Sequence, residues 1–202
     1  MENPQLSCGE RRSFLTGLLQ EKKMKFEKLK KKVFLQAGIR EQYISCAPSK
    51  IRNETLRARV SRYLESVPRR LEDGKSILVC GRQGKTEILS ILIKHALFNG
   101  IEGYYITFHD LMKMQFGDTS ISLSLGRSLE DLRLIKILAI DDLDAGISIK
   151  STHVLSYTKS FFKFRQENKL LTHLAATSGN AVSNNHPIVD SVYLRNYFNL
   201  TV

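Results

Sequence analysis

Cysteine is scarce and scattered: Cys8, Cys46 and Cys80 form an odd set, far apart, with no C-x-x-C pair and no histidine-rich spacing beside them. This excludes a disulfide framework and a thiolate metal site and leaves reduced thiols, with Cys80 at a strand end. No apolar run approaches the roughly 18–20 residues of a membrane span, and the N-terminus lacks the apolar core of a secretory signal. A cytoplasmic protein with no membrane partner is expected. Acidic residues are short at one end only. Residues 1–70 hold 17 Lys/Arg against 7 Asp/Glu, whereas residues 71–202 hold 14 against 13, so the net charge of +11 belongs to the N-terminal third. That excess suits a polyanion or an acidic protein partner; the bland alternative is a solvated face that keeps the protein soluble.

At 202 residues and 42% hydrophobic, the chain can bury one main domain plus an arm. Residues 13–36 read as a basic amphipathic helix. Phe14, Leu15, Leu18, Leu19, Phe26, Leu29 and Val33 recur at helical spacing among Lys22, Lys23, Lys25, Lys28, Lys30, Lys31 and Lys32. Such a helix could dock on a partner helix, track a nucleic-acid backbone, lie on an anionic membrane or pack within the chain. The pattern stops at Ala37-Gly38, and Ser45-Cys46-Ala47-Pro48 marks an extended linker. The expected organisation is a basic helical arm over residues 1–37, a linker over 38–50 and the main domain over 51–202.

Within that domain a helix from Leu56 to Val67, ending at Pro68, should cover the body, with Arg52, Arg57, Arg59 and Arg62 on its other faces. Strands and helices then alternate: strands at Ser76–Cys80, Gly103–Thr107, Ile135–Ile140 and Leu170–Ala176, and helices at Thr86–Phe98, from Leu111, at Leu129–Leu134 behind a Ser128 cap, and at Thr152–Phe164. Residues 118–125, rich in serine, read as a loop. This alternation implies an α/β fold with a parallel sheet flanked by helices.

Two strand ends carry the chemistry. The first runs into Gly81-Arg82-Gln83-Gly84-Lys85-Thr86, where an ammonium, a hydroxyl and the free N–H groups of a helix start suit polyphosphate. The second ends at Asp141-Asp142, and an aspartate at the tip of a buried strand can hold the magnesium that neutralises such a ligand. The usual loop, G-x-x-x-x-G-K-[ST], would put its first glycine at Val79; taking Gly81 instead leaves the loop two residues short. Either alignment provides fewer N–H donors around the phosphates. The bland alternatives are a glycine turn between strand and helix, and a polar strand end.

Read in order, Gly38-Ile39, the Leu56-to-Val67 helix, Ile77 to Gly81 with Gly84-Lys85-Thr86, Tyr104 to Leu111, Leu138 to Gly146 and Ala176 to Asn180 resemble the signatures of DnaC/DnaI-type helicase loaders and the related IstB-type transposition ATPases. The likeness covers roughly residues 38–182. It implies a P-loop AAA+ fold, ATP with Mg2+, and an ATP-dependent homo-oligomer with the site at a subunit interface. The partners it implies are single-stranded DNA and a replicative helicase or a transposase. Lys85 would neutralise the β- and γ-phosphates, Thr86 would ligate magnesium and Asp141 would hold it, with Gly81, Arg82, Gln83 and Gly84 as the rest of the phosphate loop. Asp142 falls where many members place the acid that polarises water. Asn180 is the sensor candidate, displaced by Gly179, and Arg195 is either an arginine finger acting in trans or an ordinary surface arginine. Val202 follows soon after, so the final strand and sensor helix of larger members are expected to be missing or abbreviated. With the short loop, this implies slow turnover or binding without hydrolysis.

Overall fold

The structure, a computed structural model, describes residues 8–144, 152–177 and 197–202. Five strands, β1 (Ser76–Cys80), β2 (Gly103–Thr107), β3 (Ile137–Asp141), β4 (Leu171–Ala176) and β5 (Tyr197–Thr201), form one sheet in the order β2-β3-β4-β1-β5. Every neighbouring pair is parallel. Helices α1 (Cys8–Gln36), α2 (Glu54–Glu65), α3 (Val67–Asp73), α4 (Lys85–Phe98), α5 (Phe108–Gln115), α6 (Thr119–Leu125), α7 (Leu129–Leu134) and α8 (Thr152–Glu167) complete the described elements.

Successive strand residues point to opposite faces, and both faces are covered, so the strands are apolar throughout. Ile77, Val79, Ala139, Leu171, Ala175 and Leu200 lie with α2, α4 and the last turn of α1. Leu78, Ile106, Leu138, Ile140 and Leu174 lie on the other face with α5, α7 and α8. Among these helices α7 starts on a complete capping box, in which Ser128 and Asp131 satisfy each other's backbone N–H groups.

Three expectations are corrected. The final strand is present: β5 pairs along the whole of β1, from Ser76 opposite Tyr197 to Cys80 opposite Thr201. Pro68 does not end a helix. Helix α2 stops at Glu65, and Pro68 sits in the first turn of α3, where its missing N–H has no intrahelical partner to lose. Residues 119–125 are helical, because the Asp118 carboxylate accepts the Ser120 N–H at 3.1 Å and Gly126, at φ 61°, closes the other end.

The expected apolar face of α1 is not what the body buries. Phe26 and Leu29 are each 60% exposed, whereas Phe34, which follows Val33 in sequence and lies about 100° further round the helix, is 2% exposed. Phe34, Ala37 and Ile39 belong to the core, and Phe34 meets the Phe98 ring edge-on at 5.5 Å. The Ala37 carbonyl accepts the Tyr105 N–H at 2.8 Å, covering the outer edge of β2. Gly38 follows at φ 80°, and a Cβ there would overlap the Tyr105 carbonyl oxygen. The linker is then gripped by Lys94 of α4. Lys94 is 5% exposed, and its ammonium donates to the carbonyls of Tyr43 and Ile44 at 3.0 Å and to that of Cys46.

At the starts of β3 and β4, the fully buried Arg165 bridges three elements. Nη1 donates to the carbonyls of Leu132, Arg133 and Ile135, Nη2 to that of Leu171, and Nε to the Thr172 hydroxyl. Two of these carbonyls belong to the last turn of α7, which lacks intrahelical partners.

Candidate nucleotide-binding site

The site forms where β1, β4 and β3, three adjacent parallel strands, reach their carboxyl ends. Open α/β sheets place ligands at that edge. Val79 is fully buried inside β1, opposite Ala175 and Leu200, so the strand runs on to Cys80 and the turn takes the shorter alignment from Gly81. The Gly81 N–H donates to the Ala176 carbonyl at 3.1 Å, and the Val202 N–H donates to the Cys80 carbonyl at 2.8 Å. A Cβ on Gly81, whose φ is 155°, would lie 2.5 Å from the Val202 oxygen. Gly84, at φ 79°, caps α4, whose first intrahelical bond runs from the Ile88 N–H to the Gly84 carbonyl. The N–H groups of Lys85, Thr86 and Glu87 therefore lie ahead of the helical ladder, with the positive end of the helix dipole.

Helix α4 carries both side chains singled out by the motif. Lys85, 8% exposed, donates from Nζ to the Thr177 hydroxyl just beyond β4 at 3.2 Å. Thr86 donates from Oγ1 to Asp141 Oδ2 at 2.6 Å. Ile137, Ala139 and Asp141 share the α4 face of β3, which is why the aspartate meets the helix start. Asp141 is 1% exposed. Its Oδ2 also accepts the Tyr105 hydroxyl at 2.8 Å, and its Oδ1 accepts the Asp142 N–H at 2.9 Å. Asp142 takes φ 56°, a left-handed conformation uncommon outside glycine but one that aspartate and asparagine adopt more readily than other residues. Partial desolvation, and then the Asp141 charge beside it, push the Asp142 carboxyl above the ordinary carboxylate range, with Lys85 and Arg40 pulling the other way. Burial, and then the same aspartate, raise the Tyr105 phenol, which stays protonated as a donor. On the far side Asp144 Oδ2 accepts the Thr177 N–H at 2.5 Å.

A hydroxyl and a carboxylate side by side fit a magnesium ion, which takes few protein oxygens and completes its shell with water and phosphate. No cluster of three or more His, Cys, Asp or Glu suited to a metal exists among the described residues. Beside the loop lies a cavity of about 650 Å³ lined by Ile51, Asn53 and Leu56 from the linker side and by Gln83, Glu87 and Ile88. Its size and mixed lining suit a nucleoside. Sequence pattern does not reveal the linker's part in this wall; the Ile51-to-Leu56 apolar spacing at the linker's end is the only local trace of it. Nor does it single out Tyr105, Thr177 or Asp144. Asn180 and Arg195 lie outside the described residues.

No helix among the described residues is long and apolar enough to cross a membrane. No family model and no curated protein matches the sequence. Solved structures do. The chain is similar to DnaI at 14% identity, over 80% of this chain and 93% of that one, with a TM-score of 0.61. It is similar to the DnaC helicase loader at 16% identity, over 81% and 99%, with a TM-score of 0.62. A replication initiator DnaA bound to AMPPCP and single-stranded DNA matches at 15% identity, over 81% of this chain and 50% of that one, with a TM-score of 0.57. Identities this low speak to architecture alone: the chain shares the fold of these structures, an α/β fold with a parallel five-stranded sheet flanked by helices.

Proposed function

We propose that the protein is an ATP-dependent DNA-replication accessory factor of the helicase-loader kind. In this reading it binds ATP with Mg2+ at the β1, β3 and β4 ends and engages single-stranded DNA or a replicative helicase through its basic arm. The observation that carries it is the 2.6 Å contact between Thr86 and Asp141, two residues far apart in sequence that form the magnesium pair at the start of the lysine-bearing helix. Lys85 would exchange its Thr177 contact for the β- and γ-phosphates, while the N–H groups of the loop and of the first turn of α4 bind phosphate oxygens. Magnesium would supply charge neutralisation between Thr86, Asp141 and the phosphates. Asp142, beside Asp141, would orient water, and Arg195 of a neighbouring subunit would close the site, making assembly depend on nucleotide. The DnaA neighbour, whose structure holds AMPPCP and single-stranded DNA, supports nucleotide and DNA as ligand classes.

The arm suits this role in charge. Lys22, Lys23, Lys28 and Lys32 are exposed and make no ion pair among the described residues. The curtailed loop makes binding weak and turnover slow, which a loader tolerates, since assembly needs differential binding between states. Titration with a fluorescent ATP analogue tests the reading. Magnesium-dependent binding is expected for the wild type and none for Lys85→Ala, and sedimentation velocity should show nucleotide-promoted association for the wild type alone. The same flat response from both proteins up to millimolar nucleotide would overturn it and leave an AAA+ fold used as a nucleotide-free interaction module.

A further inference from the structure

Asp141 is held from three directions, and the three holds differ in what a metal ion would do to them. The Asp142 N–H on Oδ1 is backbone and stays. Thr86 must turn its hydroxyl oxygen toward a bound cation, so its 2.6 Å bond to Oδ2 is given up or weakened when the ion enters. The Tyr105 hydroxyl, 2.8 Å from the same Oδ2, is then the side-chain donor that keeps the carboxylate from rotating. An ionised carboxylate accepts several hydrogen bonds per oxygen, so the phenol and a metal can share it. Tyr105 is 4% exposed and packs from β2 into the core on the α4 face, where a phenylalanine ring would fill the same space without the donor.

The backbone of Tyr105 is engaged too. Its N–H donates to Ala37 and its carbonyl is abutted by Gly38, so the docked end of α1 rests on the residue whose side chain fixes the metal-binding acid. We propose that Tyr105 is a positioning residue: its phenol sets Asp141 for the metal ion, and its backbone links that setting to the docking of the basic helix. This rests on the nucleotide reading above.

The outer partners of a metal ligand are typically worth 10–100-fold in metal affinity. The test compares wild type and Tyr105→Phe for binding of a fluorescent ATP analogue with and without Mg2+. The ratio of the two dissociation constants should fall by roughly tenfold or more in the variant, while its metal-free constant stays within about twofold of wild type. An equal loss with and without Mg2+, which leaves the ratio unchanged, would overturn the positioning role and reduce Tyr105 to a structural one, and no loss in either condition would overturn it outright. A wild type that binds in neither condition overturns the nucleotide reading, and Tyr105's role falls with it; that outcome is distinct from an unchanged ratio. Hydrogen exchange at the Tyr105 amide checks the link to α1 in the native protein. Linkage is reciprocal, so Mg2+ with the ATP analogue should slow that exchange in the wild type and leave it unaltered in Tyr105→Phe. Equal exchange with and without ligand in the wild type would sever α1 from the proposal.

Discussion

Replacing Arg165 by methionine keeps an unbranched apolar stem in the same tunnel and deletes the guanidinium. Four carbonyls and one hydroxyl then lose a donor: Leu132, Arg133, Ile135 and Leu171 at 2.6–3.1 Å, and Thr172 at 2.9 Å. Each buried group left without a partner costs about 1–3 kcal/mol, and Thr172 can recover part of this by rotating its hydroxyl. Relief from desolvating the cation, and water entering behind the shorter head, keep the total below the sum. A loss of about 3–5 kcal/mol results, the range for removing one member of a buried charged network. For a domain of this size that lowers Tm by about 6–20 °C. Lysine, with three donors at one point, cannot span α7, Ile135 just beyond it and β4 together, so Arg165→Lys should fall between wild type and Arg165→Met. Urea unfolding followed by circular dichroism reads both, with a shifted midpoint and an unchanged slope. A loss below about 1 kcal/mol for Arg165→Met would refute the claim that this guanidinium ties the start of β4 to the end of α7.

His173, wholly buried on β4 beside the Tyr63 ring, is pushed down to about 3 by burial and then by the Arg165 and Arg70 cations. The unfolded chain therefore takes up this proton first as pH falls, so stability is greatest above about pH 6.5 and is lost by about 1.4 kcal/mol per unit towards pH 3. Urea midpoints against pH should show that slope for the wild type and lack it for His173→Phe; parallel curves would contradict it. For the arm, glutamine at Lys22, Lys23, Lys28 and Lys32 should flatten the salt dependence of single-stranded DNA binding, by about 0.7 in log–log slope for each phosphate the arm no longer neutralises. An unchanged slope, together with loss of helicase capture, would assign the arm to protein recognition.

What can be read in the sequence follows local pattern. β1 and β2 are short apolar runs between turns, and pattern places both to the residue. The approach of Thr86 to Asp141 follows from two motifs that each end a buried strand. β5 escapes because it is an edge strand of five residues interrupted at its centre by Asn199, and Leu200 is its fully buried side chain among those described. The α1 face differs from expectation by one position, since Val33 and Phe34 are equally apolar and only the surface they meet distinguishes them. Lys94 and Arg165 look like ordinary surface cations of helices. Their partners are carbonyls on distant segments, and neither periodicity nor composition records such a contact. Tyr105 is hidden for the same reason, its phenol being matched to an aspartate on the neighbouring strand.

The position of β1 has a consequence for how the molecule comes into being. Both strands that flank β1, β4 and β5, come from the last third of the chain. Pairings of such long sequence separation close late, because loop-closure entropy is lost before the contacts form. Until residues 171–202 arrive, β1 has two open edges, the arrangement most prone to pairing with another chain. The turn after it would also lack the Ala176 carbonyl and Val202, which shape it at Gly81. A growing chain thus carries the Gly81-to-Thr86 sequence from early on but no turn of the finished form, and the proposed nucleotide site would arise only as the sheet is completed.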